Sequence, residues 1–181
     1  MNRIQVNIPA GVSGPWSIRK ATGDSSTIYS QIYGNECGGK LEPHDEYTFL
    51  FHDDIKCVMS DTYNEYLEHQ PLWDNMSGNV LIGGLGLGLV NHKLIQNQNI
   101  TTVTIVEKYQ EVVDLVWNYC PKDNRFNLVL ADVETWQPTG TWDCAWFDTW
   151  TGGNPLSQQQ YKELILQKYS PFCNWIGVWE G

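Results

Sequence analysis

Basic residues are scarce in this chain: 11 Lys and Arg stand against 21 Asp and Glu, a formal net charge of -10. Such a field repels a phosphate backbone, so no nucleic-acid partner is expected. Long apolar runs are lacking too. No stretch approaches the roughly 20 residues that cross a bilayer, and the N-terminus, MNRIQVNIPAG, has no long apolar signal core. The expectation is a cytoplasmic protein with no membrane partner. Five cysteines (Cys37, Cys57, Cys120, Cys144, Cys173) form no CxxC motif, and four histidines (His44, His52, His69, His92) form no HxxxH spacing. These spacings predict no metal site and free, mostly buried thiols. Internal repeats and low-complexity segments are absent.

What is present suffices for a packed core. Forty-one per cent of the 181 residues are apolar, and nine Trp, nine Tyr and five Phe add large side chains. Two textures divide the chain. Residues 1–75 are turn-rich, with short extended segments: Ile4–Ile8 (IQVNI) alternates as a half-buried strand does, and Thr27–Tyr33 is β-branched and aromatic. Tyr47–Phe51, the turn His52-Asp53-Asp54 and Ile55–Met59 read as a hairpin. Asp61–Leu72 reads as one helix, N-capped by Ser60 or Asp61, with Tyr63, Tyr66, Leu67 and Gln70 along a stripe.

From residue 76 to 181 strand and helix alternate. Val80–Ile82, Thr102–Val106, Phe126–Leu130, Asp143–Phe147 and Trp175–Trp179 read as short buried strands. Helices are expected over Leu87–Asn97, over Tyr109–Tyr119 with Val112, Val113, Val116 and Trp117 inward, and from Asn154-Pro155 to about Tyr169. The pattern predicts an α/β fold: a doubly wound parallel sheet behind a small β-rich N-terminal region. Right-handed crossovers place every strand's carboxyl end on one edge, where such folds bind ligands.

That edge is distinctive. The first strand runs into Gly83-Gly84-Leu85-Gly86-Leu87-Gly88. The dinucleotide fingerprint needs glycines at i, i+2 and i+5, and no start position satisfies it. Gly84, Gly86 and Gly88 fit G-x-G-x-G instead, which argues against a pyrophosphate cradle and for another adenosine-type ligand. Glu107 ends the next strand, 19 residues after Gly88, where an acid can accept from both ribose hydroxyls. Asp132 ends the third strand and Asp148 the fourth. Each acid alone can equally be a cap or loop residue; it is their order that points to a ligand site.

This order resembles the class I S-adenosylmethionine-dependent methyltransferase superfamily over residues 76–181. The junction IKCVMSDTYNEYLEHQPL followed by NVLIGGLGLG is similar to the spermidine-synthase-like branch, and to methyltransferase-like proteins common in phages. The resemblance implies a Rossmann-like domain of strand order 3-2-1-4-5 and S-adenosylmethionine as cofactor. It implies that Gly84, Gly86 and Gly88 pass the methionine part, that Glu107 holds the ribose, and that Asp132 with the amide of Val133 reads the adenine. Asp148 would lie by the sulfonium and a small-molecule acceptor as the catalytic residue. Apart from the resemblance, Trp150, two residues past Asp148, is the aromatic candidate for the pocket, since a ring face favours a sulfonium.

The departures from that family are specific. Asp148-Thr149-Trp150-Thr151-Gly152 keeps the first acid of the aminopropyltransferase stretch and lacks the second, which weakens a polyamine reading. No NPPY, DPPY or Pro-Cys motif is present. The pattern shows no counterpart of that family's strands six and seven, so the fifth strand is expected to leave an edge for the N-terminal β region or a second subunit to cover. Asp61 is open to two readings, a wall of the pocket or a strand end and helix cap. Alternatives to a methyltransferase-like enzyme are an aminopropyltransferase and a non-catalytic S-adenosylmethionine-binding protein.

Overall fold

The computed structural model describes residues 3–23, 41–151 and 153–179. The expected strand Thr27–Tyr33 and the residue Gly152 lie outside them. The chain divides into two compact units. The first comprises Met1–Glu68, Gly86–Leu89 and Glu111–Cys120; the second comprises His69–Leu85, Val90–Gln110 and Pro121–Gly181.

The first unit carries an antiparallel sheet of order β1-β2-β3-β4, with β1 Gly11–Ser13, β2 Trp16–Thr22, β3 Glu46–His52 and β4 Lys56–Ser60. The β3–β4 hairpin occupies the stretch that its alternation marks, with a register shift between Leu50 and Phe51. Ala21, Tyr47, Phe49 and Phe51 form a buried cluster. Ile4–Ile8 joins no ladder. It keeps the alternation, with Val6 and Ile8 buried, but the Val6 amide donates to the carboxylate of Asp61 rather than to a neighbouring strand.

Asp61 directly follows the end of β4, and its fully buried carboxylate is a staple. Oδ1 accepts the Thr48 amide at 2.8 Å and pairs with Arg3 at 2.9 Å, while Oδ2 accepts the Val6 amide at 3.1 Å. The Arg3 guanidinium also lies 4.0 Å from the Tyr47 ring centroid. Burial raises the Asp61 pKa above its ordinary value, outweighing the Thr48 amide, the Arg3 charge and the Val6 amide. One further correction concerns cysteine: Cys57 is disulfide-bonded, whereas Cys120, Cys144 and Cys173 are free as expected.

The predicted helix Asp61–Leu72 is two short helices, α1 Tyr63–Glu68 and α2 Gln70–Asn75, broken at His69. Pro71 in the first turn of α2 has no amide to continue the α1 ladder, so a new helix starts there. Leu67, on the stripe with Tyr63 and Tyr66, is 45% exposed.

The second unit is built on a five-stranded parallel sheet of order β7-β6-β5-β8-β9. Its strands are β5 Gly78–Gly83, β6 Ile100–Glu107, β7 Phe126–Leu130, β8 Trp142–Phe147 and β9 Cys173–Val178. Counted from β5, the order reads 3-2-1-4-5. Chain path explains the layout: β5 leads outward through β6 to β7, then returns to the other side of β5 for β8 and β9. The order therefore reverses between β5 and β8. Both faces are covered. Ala145 and Phe147 of β8 join Tyr161, Ile165 and Tyr169 in a buried cluster. On the other face the Trp146 ring meets His69, which stacks on Trp73 of α2.

Helix bounds shift from expectation for identifiable reasons. The helix expected from Leu87 begins at Leu89 (α3, Leu89–Leu94), because Gly88 has φ +65° and holds the turn open. The next is α4, Gln110–Val116, followed by a 3-10 turn over Trp117–Tyr119. The last helix does not open at Asn154-Pro155. It is α5, Gln158–Tyr169, whose N-cap Ser157 accepts from the Gln160 amide while the Gln160 side chain accepts from the Ser157 amide. Here the reciprocal cap outweighs a first-turn proline. Ser157→Ala is expected to cost about 1 kcal/mol in urea unfolding; no change in midpoint would show that the cap is idle.

Candidate functional site

Register fixes which residues meet at the carboxyl edge of the parallel sheet. Gly83 pairs with Val106 on β6 and with Phe147 on β8. Gly84 is therefore level with Glu107 on one side and Asp148 on the other, each one strand spacing, about 4.8 Å, away. Backbone bonds continue the ladder past the strand ends: the Gly84 amide donates to the Val106 carbonyl at 2.8 Å, and the Asp148 amide to the Gly83 carbonyl at 3.3 Å. Glu107 pairs with Leu130, so Asp132 stands two residues beyond that level. The strand ends thus bring Gly84, Glu107, Asp132 and Asp148 to one edge, astride the point where strand order reverses.

Gly84 has φ +90°, and a Cβ there would sit 2.9 Å from Thr149 Cγ2 and 3.0 Å from the Asp148 carbonyl oxygen. Backbone therefore passes backbone between β5 and β8 at a distance that only glycine allows. Thr149 cannot simply swing aside, because its hydroxyl lies 2.5 Å from the Tyr161 hydroxyl. Burial raises the Tyr161 pKa to about 12, so this phenol keeps its proton at neutral pH. Gly86 and Gly88 continue the turn at φ +51° and +65°. Within the first unit a Cβ on them would collide with Met59 Sδ and Cys120 Sγ, respectively. Their glycines answer a protein packing need.

Glu107 is 5% exposed. Its Oε2 accepts the Leu85 amide and its Oε1 the Tyr109 amide, both at 2.8 Å. One carboxylate thus joins the glycine turn after β5 to the entry of α4.

Asp132 pairs with Lys108 Nζ at 2.8 Å, and its Oδ1 accepts the Glu134 amide at 2.9 Å. Burial pushes its pKa up, but the Lys108 hydrogen bond, the Glu134 amide and the Lys108 and Lys168 charges outweigh that, and the net shift is downward. Lys108 rises in turn, chiefly through its hydrogen bond to Asp132. Neighbouring Val133 turns its side chain into the core, and its carbonyl accepts from the Tyr169 hydroxyl at 2.7 Å. Trp150 packs against the α5-side cluster and donates its indole N–H to the Leu156 carbonyl at 3.0 Å. It braces the loop that follows Asp148.

Asp148 itself has a partner that spacing did not reveal. His69 Nε2 lies 3.5 Å from Asp148 Oδ2. A lone histidine in a helical stretch carries no signal of what it faces, whereas Lys108, directly after a strand-end acid, could have been read as that edge's counter-charge. Tyr161 was legible only as one of a core stripe, Tyr161, Ile165 and Tyr169.

No family model matches this chain, and no curated protein matches it. Among solved structures it is similar to a Pyrococcus horikoshii protein provisionally assigned as an RNA methyltransferase: 19% identity, TM-score 0.45, over 62% of this chain and 53% of that one. It is similar to a spermidine synthase in complex with the transition-state analogue AdoDATO, at 14% identity and TM-score 0.41 over 70% and 50% of the two chains. The spermidine synthase of Thermotoga maritima gives 13% identity and TM-score 0.43 over 72% and 61%. The chain thus spans between half and three fifths of the length of these structures.

Proposed function

We propose that this protein is an S-adenosylmethionine-binding transferase of the methyltransferase-like kind, acting on a small-molecule acceptor. One observation carries the reading: Gly84, at φ +90° and closely approached by the Asp148 backbone, is level with Glu107 and Asp148 at the point where strand order reverses. Open parallel sheets bind ligands in the crevice at that point. The turn lacks the spacing for a pyrophosphate, and the acids lining this edge suit hydroxyl and amino donors.

In this reading Glu107 takes the ribose hydroxyls. Asp132, oriented by Lys108 and the Glu134 amide, takes the adenine amino group beside Val133. The glycine turn from Gly84 through Gly86 and Gly88 passes the amino-acid end. Asp148 stands by the sulfonium and the acceptor, and Trp150 holds the loop beyond it. When bound, the cofactor supplies a carbon already activated by its positive sulfur. The chain's own residues then have to align the acceptor with that carbon. Asp148 orients the acceptor's amine or hydroxyl and takes its proton within hydrogen-bond reach. A net charge of -10 disfavours a polyanionic acceptor.

Isothermal titration with S-adenosylmethionine and with S-adenosylhomocysteine tests this. The expected result is saturable heat at one site per chain for both. No heat with either ligand, on protein shown to be folded, overturns the reading. A clear preference for decarboxylated S-adenosylmethionine would instead favour aminopropyl transfer, which the single acid at Asp148-Thr149-Trp150 makes the weaker choice.

A further inference from the structure

We infer that His69 is a positioning residue for Asp148, its imidazole bracing the carboxylate that faces the acceptor. The brace stands on geometry alone; its role in group transfer rests on the function proposed above.

His69 sits at the break before α2 with φ -85° and ψ 5°, the sparsely populated bridge between helical and extended backbone. It is the N-cap of α2, yet its side chain makes no capping hydrogen bond. The backbone carbonyl serves the helix instead, accepting the Leu72 and Trp73 amides at 3.0 and 3.1 Å. The imidazole is buried to 1% exposure, where polar nitrogens are costly without partners.

Two indoles set its plane. The Trp73 ring stacks on it at 5.5 Å and 21°, and the Trp146 ring tilts against it at 5.8 Å and 47°. Between them the ring cannot tumble freely, and its Nε2 meets Asp148 Oδ2 at 3.5 Å. Trp146 and Asp148 are two residues apart along the β8 direction, so they project to the same face of the sheet. One strand thus carries both the wall that orients the imidazole and the acid that the imidazole addresses. At 3.5 Å the contact is long, as such contacts commonly are before a ligand closes the site. Asp148 remains 22% exposed, so a braced carboxylate is still within reach of solvent and of an arriving acceptor.

The test begins on the unliganded protein. Imidazole 15N resonances are assigned to His69 by elimination, through single Gln variants of His44, His52 and His92. Asp148→Asn, at a part-exposed position, is expected to move the His69 signals and leave the other three in place. Unmoved His69 signals overturn the brace. Titration then separates positioning from packing, because S-adenosylmethionine carries a positive sulfur and S-adenosylhomocysteine does not. His69→Gln and Asp148→Asn are each expected to lower the affinity ratio of the two ligands by a similar factor, with no further loss in the double variant. If His69→Gln weakens both ligands equally and leaves the ratio intact, His69 is a packing residue and the positioning role fails. If wild-type protein binds neither ligand, the transferase reading fails, and the 15N spectra still decide the brace.

Discussion

Replacing Asp61 with alanine should cost this protein about 3–5 kcal/mol of stability, the range for removing one member of a buried ion pair. The loss is large because three groups converge on one carboxylate. Arg3 would keep its charge at 10% side-chain exposure with no counter-ion at 2.9 Å, and the Val6 and Thr48 amides would lose their acceptor. Urea unfolding at neutral pH measures it, and a loss below about 1 kcal/mol, the range of an exposed pair, would remove the staple from the account. Asp61→Asn should lose less, since one amide oxygen still accepts.

The same site sets a pH dependence. The folded chain binds the Asp61 proton more tightly than the unfolded chain, because burial raises the pKa. The corresponding stability is fully present below the unfolded value near 4 and is lost as pH rises through the folded value. The stability gap between wild type and Asp61→Asn should therefore narrow as pH is raised above about 4. A gap that widens with pH would mean that Arg3 outweighs burial.

Gly84→Ala carries the second large effect. Its φ of +90° disfavours any Cβ, and that Cβ would press on the Asp148 backbone at 3.0 Å and on Thr149 at 2.9 Å. Strain of this kind costs about 1–3 kcal/mol, and relieving it means spreading β5 from β8 where the crevice is formed. S-adenosylhomocysteine affinity should fall at least about tenfold, a loss of some 1.4 kcal/mol in binding. Gly140→Ala is the matched control: the nearest atoms to its Cβ are on Trp142 at 3.9 and 4.0 Å, with no positive φ. Normal affinity in Gly84→Ala would separate the tight passage from ligand binding. Equal losses in both variants would point to a general effect of adding a methyl group.

Much of the parallel unit was legible because its signals are local and redundant. Apolar β-branched runs such as Thr102–Val106 can only be buried strands, and glycines ending one strand with acids ending the next three mark a shared edge. That logic places Asp148 at the edge without reference to any partner. The misreadings have a common cause, in that long-range partners decided them. Around Asp61, spacing cannot show that the Val6 and Thr48 amides reach its carboxylate. Ile4–Ile8 looked like a strand because alternating burial is the same whether an amide donates to a strand or to a carboxylate. For Trp150, spacing does not show that its indole N–H donates to the Leu156 carbonyl. His69 carries no signal in the sequence because a histidine's chemistry depends on its neighbours, here two indoles and an acid.

Glu107 has a consequence for the thermodynamics of recognition. Its carboxylate already holds the Leu85 and Tyr109 amides at 2.8 Å, so the turn is organised when the chain folds. An incoming ligand then has little ordering left to do, and more of its contact energy is expressed as affinity. A weakened Glu107 variant would accordingly show two losses at once: a missing contact to the ligand, and a turn that must be assembled anew at each encounter.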